Sequence, residues 1–142
     1  MNEQELLEKA IGIAVEAHLG QKDRYGAPYI LHPLRVMDRL DTTTEKIVGV
    51  LHDVVEDTAW TFEELARQGF PPAVLEALRS VTKKEGENYE DFVRRSASNS
   101  LARRIKLADL EDNMDLRRMS GLTENDLPRL QKYLNAWALL RT

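Results

Sequence analysis

The sequence predicts an all-α domain, a single compact multi-helix bundle of about seven or eight helices. Three observations carry this. Apolar residues recur at three- and four-residue spacing along most of the chain, strand-like alternation is nearly absent, and cap or breaker residues punctuate the periodic stretches. With 142 residues, 42% of them hydrophobic and 31% charged, one domain over residues 1–142 is expected to bury a real core.

Residues 3–19 carry Leu6, Leu7, Ala10, Ile13, Ala14 and Ala17 at helical spacing and stop before Gly20, with His18 in the last turn as a packing or helix-end residue. Gly20, Gly26 and Pro28 break both periods, so residues 20–31 read as a loop holding Lys22, Asp23, Arg24 and Tyr25. Such a loop suits phosphate oxygens or simply solvent. His32-Pro33 opens the next helix, with Leu34, Val36, Met37 and Leu40 inward. Thr42 to Thr44 offer caps for a central helix through residues 47–58. Thr61-Phe62-Glu63-Glu64 is a capping box for a short helix ending near Gln68, and Pro71-Pro72 starts another over residues 73–80. The polar run 83–88 is the expected mobile loop, and Tyr89, Phe92 and Val93 begin a further helix. Leu101, Ile105, Ala108, Asp112 and Leu116 trace a stripe within residues 98–119. Leu127, Leu130, Leu134, Trp137 and Leu140 mark a closing helix, with Trp137 in the core or on a homo-oligomer surface.

Composition narrows the function classes. There is no cysteine, which excludes disulfides, thiolate metal sites and a cysteine nucleophile and fits a cytoplasmic setting. A net charge of −4 and a pI of about 5.4 argue against extended nucleic acid as a partner. No apolar stretch approaches ~20 residues, and Met-Asn-Glu-Gln-Glu is not a signal peptide, so no membrane partner is expected.

The informative polar residues cluster in two stretches. Asp53, Glu56 and Asp57 fall at i, i+3 and i+4 in an apolar run that also holds His52. Ionised groups among valines need a counter-charge, for which a divalent metal is the simplest source; a solvated acidic helix end is the alternative. Asp109 flanks the stripe formed by Ile105 and Ala108, where it either pairs with Arg103, Arg104 or Lys106 or binds a metal. His32, at a helix mouth, is a hydrogen-bonded structural residue or a ligand. Together His32, His52, Asp53 and Asp109 would form a two-histidine, two-carboxylate site in a central cleft, suited to Mn²⁺, Fe²⁺ or Zn²⁺. Such a metal lowers the pKa of a bound water, Glu56 and Asp57 could orient that water and carry protons, and Lys22 and Arg24 would suit a phosphate ester or anhydride.

The chain resembles the HD-domain metal phosphohydrolases, and within them the hydrolase domain of the RelA/SpoT enzymes and its short stand-alone forms, the small alarmone hydrolases and the metazoan SpoT homologue. The resemblance rests on Ala17-His18-Leu19-Gly20-Gln21, on Gly26-Ala27-Pro28-Tyr29-Ile30-Leu31-His32-Pro33 (the family's G-x-P-Y-I-x-H-P), on Leu51-His52-Asp53-Val54-Val55-Glu56-Asp57-Thr58 (L-H-D-x-x-E-D-T), and on Ile105-Lys106-Leu107-Ala108-Asp109 followed by Asn113-Met114 (K-L-A-D…N-M). It implies metal ligands His32, His52, Asp53 and Asp109, usually with Mn²⁺, catalytic roles for Glu56 and Asp57, and a substrate contact for Asn113. The implied reaction removes the 3′-pyrophosphate of guanosine tetra- or pentaphosphate, with metal-bound hydroxide as attacking group and Lys22, Arg24 and Lys106 neutralising phosphate charge. Hydrolysis alone is implied, because the chain is too short for the synthetase and regulatory domains of the long enzymes. A phosphatase of another nucleotide such as NADPH, or a metal-stabilised regulatory module without turnover, are the other readings.

Two positions depart from the family pattern. Its basic pair Arg-Lys is Asp23-Arg24 here, and the first of that pair usually stacks on guanine; Asp23→Arg is therefore expected to strengthen guanine-nucleotide binding. A substrate-touching Thr is Leu116 here, with Asp112 and Asp115 adding negative charge nearby.

Overall fold

The computed structural model describes residues 1–142 as nine α-helices: α1 (Glu3–Ala17), α2 (Leu31–Asp38), α3 (Thr43–Leu51), α4 (Val54–Asp57), α5 (Phe62–Arg67), α6 (Pro72–Ser80), α7 (Tyr89–Ala97), α8 (Ser100–Asn113) and α9 (Leu127–Leu140). Two 3-10 turns, Leu116–Arg118 and Glu124–Asp126, lie between α8 and α9. There is no sheet, only one isolated bridge between Lys22 and Pro28. No helix is long and apolar enough to cross a membrane.

The helix starts follow local capping chemistry. Asn2, Thr42 and Thr61 each accept from the backbone of Glu5, Glu45 and Glu64, whose carboxylates bond back to the cap. Asn88 and Asn99 cap α7 and α8 in the same manner, without the reciprocal bond.

The bundle is organised around α3, in which Ile47, Val48, Gly49, Val50 and Leu51 are all buried. It packs against α1, α2, α6 and α8. Gly49 sits where α2 approaches closely: a Cβ there would stand 2.6 Å from Leu40 Cδ1. A second, smaller core joins α7, α8 and α9 through Val93, Leu110, Ala136 and Leu140, so α8 is shared by both cores. Trp137 packs partly buried against this smaller core and donates its Nε1 hydrogen to Glu111 at 3.1 Å.

Three expectations are corrected by the structure. The single helix through residues 47–58 is broken at His52-Asp53. The Gly49 carbonyl, which a continuous helix would offer to the Asp53 N–H, instead accepts from the ring Nδ1 of His52 at 2.6 Å and from the His52 N–H. The stripe on α8 ends at Asn113, and Leu116 lies exposed in a 3-10 turn. The polar loop 83–88 is tied rather than free-standing. Arg95 grips Glu87 with two bonds of 2.9 Å and reaches the carbonyls of Arg79 and Thr82.

Candidate metal centre and substrate pocket

The break after α3 turns His52 inward at the point where the first turn of α2 delivers His32 and the last part of α8 delivers Asp109. All three are buried, and one ligand atom from each lies within 4.8 Å of the others. Asp109 Oδ1 stands 2.9 Å from His32 Nε2 and 3.4 Å from His52 Nε2. Asp53 Oδ2 stands 3.1 Å from His52 Nε2 and 3.7 Å from His32 Nε2. Four residues from three separate parts of the chain thus converge with the same nitrogen of each ring.

The reason lies one layer outward. His32 donates its Nδ1 hydrogen to Asp112 Oδ2 at 2.6 Å, and His52 donates its own to the Gly49 carbonyl. With Nδ1 spent in both rings, Nε2 is the atom turned to the carboxylates, and that of His52 is buried with no hydrogen-bond partner. Burial favours neutral rings, but Asp109 and Asp112 around His32, and Asp53 and Asp109 around His52, outweigh it and raise both pKa values. A lone pair on each Nε2 facing carboxylate oxygens calls for a proton or a cation between them. The donor set of two imidazoles and two carboxylates fits a divalent transition metal.

The supporting contacts are dense. Lys106 is buried and its Nζ donates to Asp109 Oδ2 at 2.9 Å, held beside the Phe92 and Tyr89 rings. It is not among the residues lining the cavity described below, and its hydrogen bond goes to Asp109. Burial opposes the Asp109 charge, yet Lys106 and the two histidines hold its carboxyl well below the usual range. Asn113 donates to Asp109 Oδ1 at 3.1 Å and also lines the cavity. Glu56 and Asp57 stand solvent-exposed at the end of α4. Partial desolvation, then the Asp53 charge, raises both carboxyl pKa values.

Four features escaped the sequence. Asp112, fully buried, holds His32 and binds Arg35 Nε at 2.8 Å and Arg118 Nη1 at 3.1 Å. Its signal was a carboxylate on an otherwise apolar stripe. Tyr29, inside the Pro-Tyr-Ile-x-His-Pro run, donates its hydroxyl to Asp53 Oδ2 and packs at a tilt between the rings of His18 and His32. Arg118 and Arg129 lie beyond the recognised motifs. A cavity of about 270 Å³ opens beside the donor cluster, with His32 common to both. Lys22, Arg24, Arg118 and Arg129 supply its cations, and Tyr25, Tyr29 and Tyr133 its aromatic surfaces. A larger cavity of about 460 Å³ between α7 and α9 contains none of the four donors.

Asp23 also differs from expectation. Its Oδ1 accepts the N–H groups of Tyr25 (2.8 Å) and Ala27 (2.9 Å), and Oδ2 meets Arg118 Nη2 at 3.4 Å. Position 23 therefore folds the loop at the wall of the cavity, which Asp23 also lines.

The fold and site together define an all-α domain with a candidate metal centre beside a cationic, aromatic pocket. The chain belongs with the RelA/SpoT-like proteins. It is 34% identical over 122 residues to guanosine-3′,5′-bis(diphosphate) 3′-pyrophosphohydrolase of Aquifex aeolicus, covering 78% of this chain and 17% of that protein. It is 32% identical over 124 residues to the bifunctional (p)ppGpp synthase/hydrolase SpoT of Escherichia coli, covering 76% and 17%. A GTP pyrophosphokinase of Myxococcus xanthus matches at 31% identity over 96% of this chain and 20% of its own length. The chain thus spans a fifth or less of these curated relatives. A solved structure of a metazoan ortholog of SpoT, reported to hydrolyse ppGpp, superposes with a TM-score of 0.74 at 26% identity, covering 95% of this chain and 84% of that one. No family model matches the chain.

Proposed function

We propose that this chain is a divalent-metal-dependent (p)ppGpp 3′-pyrophosphohydrolase, with Mn²⁺ as the metal and residues 1–142 acting as one catalytic domain on a cytoplasmic nucleotide. The observation that carries the reading is His32 itself: its Nε2 belongs to the donor cluster, and the residue also lines the cation- and tyrosine-rich cavity. This adjacency supports a reading in which metal chemistry serves a polyanionic aromatic ligand.

His32, His52, Asp53 and Asp109 would hold the metal, which when bound supplies Lewis acidity and acidifies water. The remaining roles belong to the protein. Asp112 and the Gly49 carbonyl fix the two ring tautomers. Tyr29 orients the Asp53 carboxylate, and Lys106 balances the charge on Asp109. Glu56 and Asp57, with carboxyl pKa values raised by partial burial and the Asp53 charge, take and return the proton of the attacking water. Lys22, Arg24 and Asn113 bind phosphate oxygens.

The test is the purified chain with Mn²⁺ against ppGpp, pGpp, NADPH and common nucleoside phosphates. Pyrophosphate release from ppGpp or its pentaphosphate is the expected result. Orthophosphate release from NADPH or another nucleotide would replace this activity with that of a general nucleotide phosphatase, and silence across the panel would leave a regulatory module.

A further inference from the structure

The Arg118 guanidinium is held along its edge. Nη1 donates to the Asp112 carbonyl at 3.0 Å, to Asp112 Oδ2 at 3.1 Å and to Asn113 Oδ1 at 3.3 Å, while Nη2 meets Asp23 Oδ2 at 3.4 Å. Its Nε is buried without a partner, and only 13% of the side chain is accessible. The group lies 5.5 Å from the centre of the Tyr25 ring, and the Tyr25 N–H is fixed by the same Asp23. Both residues line the cavity beside His32. With Nη1 spent on the protein, Nη2 turned to Asp23 and Nε buried, this arginine has flat faces rather than edges to offer a ligand. Flat cationic and aromatic faces recognise heterocycles, whereas phosphate requires free N–H edges.

We infer that Arg118 and Tyr25 form the nucleobase platform of this pocket, with Asp23 as its anchor, while Lys22 and Arg24 on the adjoining loop take the phosphates. This deepens the nucleotide reading above and rests on it. Asp23 thereby acquires a purpose: a carboxylate at this position sets both members of the platform, Arg118 by charge and Tyr25 through its backbone.

The experiment measures binding, independent of turnover, by calorimetric titration of the Mn²⁺-loaded chain with GDP and, separately, with inorganic pyrophosphate. Arg118→Lys keeps the charge and loses the plane; Tyr25→Leu loses the ring and leaves every Arg118 hydrogen bond in place. Each variant is expected to lose about five- to tenfold in GDP affinity, with pyrophosphate affinity held within about twofold. GDP affinity retained by both variants, or pyrophosphate affinity falling in parallel, overturns the platform. A wild-type chain that binds GDP in this way yet releases no pyrophosphate from ppGpp would sink the proposed activity alone.

Discussion

Replacing Asp112 with asparagine keeps the shape of a fully buried side chain and removes the charge on which three contacts depend. His32 Nδ1 at 2.6 Å, Arg35 Nε at 2.8 Å and Arg118 Nη1 at 3.1 Å would face a neutral amide. Burial disfavours the Asp112 carboxylate, but the bonds from His32 and Arg35 and the charge of Arg118 prevail and hold it far below the usual range. Breaking one side of such a buried network costs roughly 3 kcal/mol or more, which for a domain of this size lowers Tm by about 6–12 °C. His32 Nε2, the proposed ligand atom, also loses the carboxylate on the opposite side of the ring, and such changes typically weaken metal affinity by about 10–100-fold. Titration with Mn²⁺, read from the paramagnetic resonance of the free ion, separates the two effects. A variant that melts early but binds Mn²⁺ as tightly as the wild type would refute the argument that Asp112 orients His32.

Glu56→Gln is expected to lower turnover at least ~10²-fold while leaving Mn²⁺ binding intact; release of the metal in the same titration would show Glu56 to be a ligand instead. Asp23→Arg is expected to lower Tm and weaken GDP binding, because it removes the acceptor for two loop N–H groups; tighter GDP binding would contradict this. Chelation of the metal is expected to lower Tm by about 5–11 °C relative to protein held at a hundred times the metal Kd, a stabilisation of about 2.7 kcal/mol; an unchanged melt would argue against a folded-state metal site. The bonds from Arg95 lower the Glu87 pKa to about 2, so that pair stabilises the fold above about pH 4.5 and loses its effect as the pH falls toward 2. The Tm gap between wild type and Glu87→Gln, about 2–4 °C at neutral pH, should close over that interval, and a gap constant with pH would rule the pair out.

Local chemistry was legible in the sequence. Thr61 and Glu64 define a helix start by themselves, and the buried face of α3 is written in consecutive aliphatic residues. What escaped depends on partners distant in the chain. Arg118 meets Asp23 across 95 positions, and His32 meets Asp112 across 80. A periodicity reading counts Asp112 as one more core position because it sees the stripe and not the imidazole and guanidinium waiting there. The loop at 83–88 looked loose for a related reason, since its tether, Arg95, lies in the following helix. The break in the central helix was hidden because a histidine ring competed with the backbone for the carbonyl of Gly49.

Lys106, Asp109, Asp112 and Asn113 all ride on α8, so one rigid rod carries the charge balance, a donor oxygen, the clamp on His32 and a wall of the cavity. Each residue along that rod turns the face by about 100°. Deleting a single residue between Asn99 and Ile105 would leave a good helix and swing all four groups away from the histidines together. Length changes in the exposed link around Gly121 touch none of them. Descendants of this gene should therefore tolerate insertions there and almost never within the first half of α8.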